Sequence, residues 1–108
     1  MQQFVTYLIA FDHEDLVAFI PAEQTKPGVC YGMVEDFVSF RTKDDAIEYK
    51  YLTYEELALE SQLAYVNSYH RDYDYNTVVE ESARLKARIA EIARQKSGLV
   101  FNPAAEAA

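Results

Sequence analysis

The segment between residues 69 and 76 carries the side chains with the clearest chemical possibilities. Residues 72–76 read DYDYN, which is the D-x-D-x-N opening of a calcium-binding loop. Such a loop needs glycine at its sixth position and a bidentate glutamate at its twelfth. Thr77 and Ala83 stand at those two positions. The pattern therefore predicts no calcium site, and we expect neither a metal nor another cofactor.

The same segment has the composition of a recognition surface. Tyrosine offers a large contact area at low entropic cost, which is why recognition surfaces are enriched in it. A second acidic turn follows the first apolar run of the chain, at residues 12–15. We therefore expect the two turns to contact a partner through these side chains: Tyr69, Asp72, Tyr73, Asp74, Tyr75, Asp12, Glu14 and Asp15.

Groups suited to nucleophilic or acid–base catalysis are few. Cys30 is the only thiol, and His13 and His70 are the only histidines. Cys30 lies between two strand-forming residues, so we expect a small buried hydrophobe rather than a reactive thiol. His13 stands among three acids and is expected in a solvated turn. Because no nucleophile and base pair by sequence spacing, we predict a protein that is not an enzyme.

Charge is divided unevenly along the 108 residues, whose net charge is −8. Residues 84–96 hold five bases and one acid, and the rest of the chain holds five bases and seventeen acids. Phosphates are contacted mainly by Lys and Arg, so the net charge argues against direct nucleic-acid binding and against anionic membrane surfaces. It favours a partner protein with a basic surface. In the sharpest form of this hypothesis, the carboxylates replace phosphates and the protein inhibits a nucleic-acid-binding factor.

Length and composition predict one folded domain, at residues 1–101, with a flexible tail at residues 102–108. Half of the residues are apolar, and Gly and Pro are scarce. No run approaches the ~20 apolar residues of a membrane span. The start of the chain lacks the basic region of a secretion signal. We therefore expect a cytoplasmic protein.

The first half of the chain predicts strands. Residues 4–11 are β-branched and aromatic, and residues 16–20 follow a polar break, as either the second strand of a hairpin or a short helix. We favour the hairpin. Residues 29–42 predict one or two strands, with a bulge at Gly32. Residues 46–52 alternate in polarity and predict another strand, although a short helix beginning at Thr42 is the competing interpretation.

The second half predicts two helices. Thr53 and Glu56 form a capping box that would open a helix over residues 54–69, and Thr77 and Glu80 form another that would open the last helix. Gly98 is expected to end that last helix, after which residues 99–101 could dock on the core. The fold class is thus α+β, with an N-terminal antiparallel sheet of three to four strands followed by two α-helices.

The last helix carries an apolar seam at heptad spacing. Val78, Leu85, Ile89 and Ile92 recur at intervals of three, four and seven residues. Such a seam is typical of a coiled coil, so these four residues are candidates for homodimerisation. The same seam would equally serve a helix that packs within its own chain.

Overall fold

The computed structural model describes residues 3–68 and 74–103. The described chain forms an antiparallel sheet followed by two long helices, which confirms the predicted α+β class. The strands and helices are β1 (Val5–Asp12), β2 (Asp15–Pro21), a short 3-10 helix (Ala22–Gln24), β3 (Val34–Phe40), α1 (Lys43–Ser68) and α2 (Tyr75–Leu99).

The sheet has the strand order β2-β1-β3, with both neighbours antiparallel to the central β1. β1 and β2 form the hairpin that we favoured, and the competing short helix is wrong. The turn between them places His13 at φ 54°, a left-handed backbone that residues other than glycine seldom adopt. The register shift in this sheet lies between Ala10 and Phe11, where β1 pairs with β2.

Gly32 lies before β3 rather than inside a strand, so the predicted bulge there is wrong. Its backbone instead packs closely against the sheet. A Cβ atom at this position would lie 3.0 Å from Ala10 Cβ, the Phe11 carbonyl oxygen and Val17 Cγ2. Glycine is needed here because the connector between β2 and β3 approaches the sheet too closely for a side chain.

The strand predicted over residues 46–52 is wrong, because these residues belong to α1. Thr42 Oγ1 accepts a hydrogen bond from the Asp45 amide at 3.1 Å, and Asp44 and Asp45 lie in the first turn. A threonine cap and acids near the positive end of the helix dipole both favour a helix start here. The competing interpretation, a helix beginning at Thr42, is therefore correct.

The predicted capping box at Thr53 is also wrong, since Thr53 lies in the interior of α1. Its side chain is buried, and its hydroxyl donates to the Tyr49 carbonyl at 2.8 Å. Threonine in a helix interior often satisfies its hydroxyl in this way. The helix thus begins about a dozen residues before the predicted start.

α2 begins at Tyr75, so the predicted capping box at Thr77 is wrong. Asp74 is the N-cap, and its Oδ1 accepts from the Thr77 amide at 2.7 Å. Gly98 lies within α2 and does not end it. The predicted return of residues 99–101 to the core is confirmed: the Phe101 amide donates to the Ser39 carbonyl at 2.8 Å.

Two groups of buried side chains hold the fold together. One lies where the sheet meets the first turns of α1 and the end of α2, and includes the rings of Tyr7, Phe19, Phe40 and Tyr49. The other lies between the two helices and includes Thr53, Val66, Ser82, Leu85 and Ile92. The molecule is elongated, measuring 57 × 31 × 22 Å. The sheet region and the helical hairpin therefore form distinguishable parts of one chain.

Candidate protein-binding site at the acidic end of the sheet

Acidic residues dominate the sheet region. Residues 3–40 contain a single Lys or Arg, Lys26, against six carboxylates. Five of these carboxylates lie around the β1–β2 turn and the start of β3, and we call them the acidic end: Asp12, Glu14, Asp15, Glu35 and Asp36.

Strand register brings the parts of the acidic end together. β1 ends at Asp12, and the start of β3 lies beside it because Phe11 pairs with Val34 and Ala10 with Glu35. Asp12 Oδ1 accepts a hydrogen bond from the Met33 amide at 2.6 Å, which joins the turn to the segment leading into β3. The site therefore includes Glu35 and Asp36 beside the three carboxylates that the sequence predicted, Asp12, Glu14 and Asp15.

Three large apolar side chains border the acidic end and remain exposed, and we call them the apolar patch. Met33 is 67% exposed, Val34 is 63% exposed and Phe37 is 58% exposed. Single exposed apolar residues are ordinary, whereas these three lie within five residues of one another at the edge strand of the sheet. Carboxylates thus surround a surface that gains free energy when another molecule covers it.

Among the described residues, no strand pairs with the outer edge of β3 beside this patch. The Phe37 amide donates to its neighbour Asp36 Oδ1 at 3.0 Å, while the Ser39 carbonyl accepts from Phe101. Both groups therefore point away from β1. Because inward and outward backbone groups alternate along a strand, those of Glu35 also point outward. Phe101 covers the last part of this edge, and Glu35 to Phe37 form the part available to another strand.

A shallow pocket of about 250 Å³ adjoins Phe37 on the sheet face that the β2–β3 connector covers. The connector is held by hydrogen bonds from the Lys26 amide to the Tyr31 hydroxyl at 2.9 Å and from the Tyr31 amide to Glu35 Oε1 at 3.2 Å. The pocket has room for one apolar side chain. It is lined by Leu8, Thr25, Lys26, Pro27, Val29, Tyr31, Glu35 and Phe37.

The second predicted surface, at residues 69–76, falls partly outside the described residues, namely at Tyr69, Asp72 and Tyr73. Tyr75 is 81% exposed, as expected. Asp74 caps α2, and the hydrogen bonds that it accepts from Thr77 hold the pKa of its carboxyl below the usual range. Its carboxylate is therefore already engaged within the helix start rather than directed wholly to a partner.

The basic residues of α2 bind acids of their own chain. Arg88 bonds Glu55 on α1 at 2.9 Å, and Lys96 bonds Glu56 at 2.9 Å. The hydrogen bond that Arg88 donates to Glu55 raises the pKa of the Arg88 guanidinium, and the bond that Arg84 donates to Glu81 does the same for Arg84. The positive segment therefore offsets most of the acids of the helical hairpin, since residues 43–99 hold eight Lys or Arg against eleven Asp or Glu, whereas residues 3–40 hold one against six.

The apolar seam of α2 faces α1. Leu85 and Ile92 are fully buried, while Val78 and Ile89 are partly buried. Self-association through these four residues stays a prediction. Leu85 and Ile92, however, are already buried within one chain. A dimer seam there would require α1 to move away.

The single thiol, the described histidine and the carboxylates are side chains suited to nucleophilic chemistry or metal binding. Cys30 is exposed and lies outside any strand, so its predicted burial is wrong. His13 is exposed in its turn, as expected. Within residues 3–68 and 74–103, no three His, Cys, Asp or Glu side chains gather as a metal site would require. Neither described helix has a run apolar enough to cross a bilayer.

Searches of protein-family models, curated proteins and solved structures find no significant match to this chain. The functional argument therefore rests on the geometry of the acidic end and the apolar patch.

Proposed function

We propose that the protein is a binding module that holds a basic, partly apolar segment of another protein at the acidic end of its sheet. The observation that carries this proposal is the coincidence of five carboxylates, three exposed apolar side chains and an open strand edge at one place. Each feature alone is common on protein surfaces. Together they match the chemistry of one kind of ligand.

An extended peptide fits this place because it can add a strand to β3. Its backbone would bond the outward groups of Glu35 and Phe37, with the Phe37 amide exchanging its bond to Asp36 Oδ1 for one to the peptide. Its side chains would alternate between the two faces of the sheet. Val34 lies on the face of Phe11, and Phe37 lies on the face of Leu8. Apolar side chains of the peptide would contact these two residues, while Lys or Arg side chains would reach the surrounding carboxylates.

Titration of the protein with an extended peptide of alternating Lys and Val, followed by calorimetry, tests the proposal. We expect binding that weakens with salt and is lost in a Glu35→Gln, Asp15→Asn variant. The matched control is Glu60→Gln, Glu80→Gln, at exposed positions of α1 and α2, which has the same net charge and should bind as the wild type. Equal loss in both variants would mean that only overall charge matters, and the proposal would be wrong.

The finer hypothesis is that the natural ligand is a nucleic-acid-binding surface, which the carboxylates occupy in place of phosphates. The net charge of −8 and the ratio of six carboxylates to one Lys or Arg over residues 3–40 support it. Once a partner protein is identified, DNA or RNA should displace it from the wild type. A partner that binds the acidic end and nucleic acid at the same time would limit the function to protein binding alone.

A further inference from the structure

The outward face of α1 carries a second exposed apolar surface, remote in sequence from the acidic end. Ile47 is 40% exposed, Tyr51 is 67% exposed, Tyr54 is 47% exposed and Tyr65 is 51% exposed. Together with exposed Ala58 and Ser61, these residues follow alternating steps of four and three along the helix. We call this row the outer stripe of α1.

The outer stripe has the spacing of a coiled-coil seam. In heptad terms Tyr51, Ala58 and Tyr65 occupy a positions, while Ile47, Tyr54 and Ser61 occupy d positions. α2 lies on another side of α1, where Thr53 and Val66 are buried. α1 is therefore apolar on two sides, and only one of them is covered within the described chain.

The charges beside the stripe indicate what covers it. Lys43 and Lys50 fall at g positions, and Glu48 and Glu55 fall at the e positions five residues later. In a parallel pair of identical helices, each g residue faces the e residue of the next heptad on the other helix. Lys43 would then meet Glu48 of the second copy, and Lys50 would meet Glu55. In an antiparallel pair g faces g and e faces e, which would place like charges together.

Lys43 and Glu48 are exposed, and neither forms an ion pair within the part of the chain that the structure describes. Glu55 already bonds Arg88, whose side chain is 35% exposed, and it would have to share its carboxylate between the two cations. The Lys43–Glu48 pairs would therefore contribute most of the attraction between the charges of the two copies. Two-fold symmetry would supply each pair twice.

We propose that two copies of the chain associate in parallel through the outer stripe of α1. This differs from the homodimer predicted for α2, because it uses side chains that are exposed and leaves Leu85 and Ile92 in place. It is also independent of the proposed function, since the acidic end takes no part in it.

Sedimentation equilibrium of the full chain, across micromolar concentrations, tests this proposal. We expect a monomer–dimer equilibrium. The double substitution Tyr51→Lys, Tyr54→Lys should abolish it, whereas Val79→Lys, at an exposed position of α2, should leave it unchanged. Lys43→Glu and Glu48→Lys should each raise the dissociation constant about tenfold, and the double variant should restore it. A wild-type monomer at every concentration, or a double variant as weak as the singles, would overturn the proposal. Circular dichroism checks that each variant folds.

Disulfide trapping distinguishes the two orientations in a Cys30→Ser background. Parallel helices bring each a or d residue beside its own equivalent, so Ile47→Cys and Ala58→Cys should both form linked dimers. Antiparallel helices that cross near Ala58 would link only Ala58→Cys, and that result would overturn the parallel arrangement. A Val79→Cys control should not link above the level set by random collision.

Discussion

The sheet region and the helical hairpin use charge in opposite ways. In the hairpin, cations of α2 bond acids of α1, as Arg88 bonds Glu55 and Lys96 bonds Glu56. In the sheet region Lys26 is the one Lys or Arg among residues 3–40. The five carboxylates of the acidic end form no ion pair with described residues, and Asp12, Glu35 and Asp36 accept only backbone amide hydrogen bonds. A charge satisfied within the chain contributes to folding, whereas an uncompensated group of like charges is available to a partner.

The regions also differ in what they do with apolar side chains. Leu85 and Ile92 are fully buried between the helices, while Met33, Val34 and Phe37 remain more than half exposed beside the acidic end. Substitutions in the hairpin interior should therefore act on stability, and substitutions at the acidic end should act on binding. The predictions below test that division in order of decreasing effect on the free energy of unfolding.

Leu85→Ala should have the largest effect, because Leu85 is fully buried between α1 and α2. Removing a buried leucine side chain costs about 2–5 kcal/mol, through lost burial and the cavity left behind. Urea denaturation followed by circular dichroism measures the change. Val79→Ala, at a position 49% exposed, is the control and should differ little from the wild type. Similar losses at both positions would refute the assignment of Leu85 to the core.

Lys96→Met should have the next largest effect. The Lys96 and Glu56 side chains are only 13% and 20% exposed, and Lys96 Nζ also lies 4.7 Å from the centre of the Tyr49 ring. Methionine keeps the packing but leaves Glu56 without its cation, which should cost about 1.5–3 kcal/mol in unfolding experiments. Arg94→Met, on the exposed surface of the same helix, is the matched control. If both variants were equally stable, the Lys96–Glu56 pair would contribute nothing.

Acid should weaken the start of α2 through Asp74. Its pKa is lowered in the folded protein by the hydrogen bonds from Thr77, so its stabilising effect is complete above the ordinary value of 3.8. That effect is lost as the pH falls through the lowered pKa. Thermal unfolding between neutral and strongly acidic pH should show the loss of this stabilising effect of Asp74 in the wild type. Asp74→Asn retains a capping oxygen without a titrating group, so it should not show this loss.

Phe37→Ser should have the smallest effect on folding, since Phe37 is 58% exposed. We expect the free energy of unfolding to change by no more than about 0.5 kcal/mol, as for other surface substitutions. Binding of the Lys–Val peptide should nevertheless weaken strongly, because the apolar contact on one face of the edge is removed. A large loss of stability with unchanged binding would reverse the roles that we assign to the two regions.

Sequence patterns predicted the fold class, the β1–β2 hairpin and the docking of residues 99–101 on the core, against which Leu99 packs. They misplaced the start of α1, since alternation over residues 46–52 and the T-x-x-E pattern at Thr53 both argued against a helix there. The spacing of Ala46, Tyr49 and Thr53 on one helical face was the missed signal. Local patterns could not decide between a strand and a helix over residues 46–52, because it is the packing of Phe40 and Phe19 on Tyr49 that favours the helix.

The candidate site was predicted only in part. Asp12, Glu14 and Asp15 were identified from their density of charge in a turn. Glu35 and Asp36 were missed because they join the site through strand register, which depends on pairing between residues more than twenty positions apart. The burial of Leu85 and Ile92 within one chain was likewise left open, because a heptad seam does not specify which helix covers it.

The most direct test of the central claim is to map the peptide-binding surface by NMR. Backbone amide shifts of the protein are recorded while the alternating Lys–Val peptide is added. We predict saturable changes concentrated at residues 12–15 and 33–37, with little change along α2. Changes concentrated along α2, or spread evenly over all exposed acids, would contradict the assignment of binding to the acidic end of the sheet.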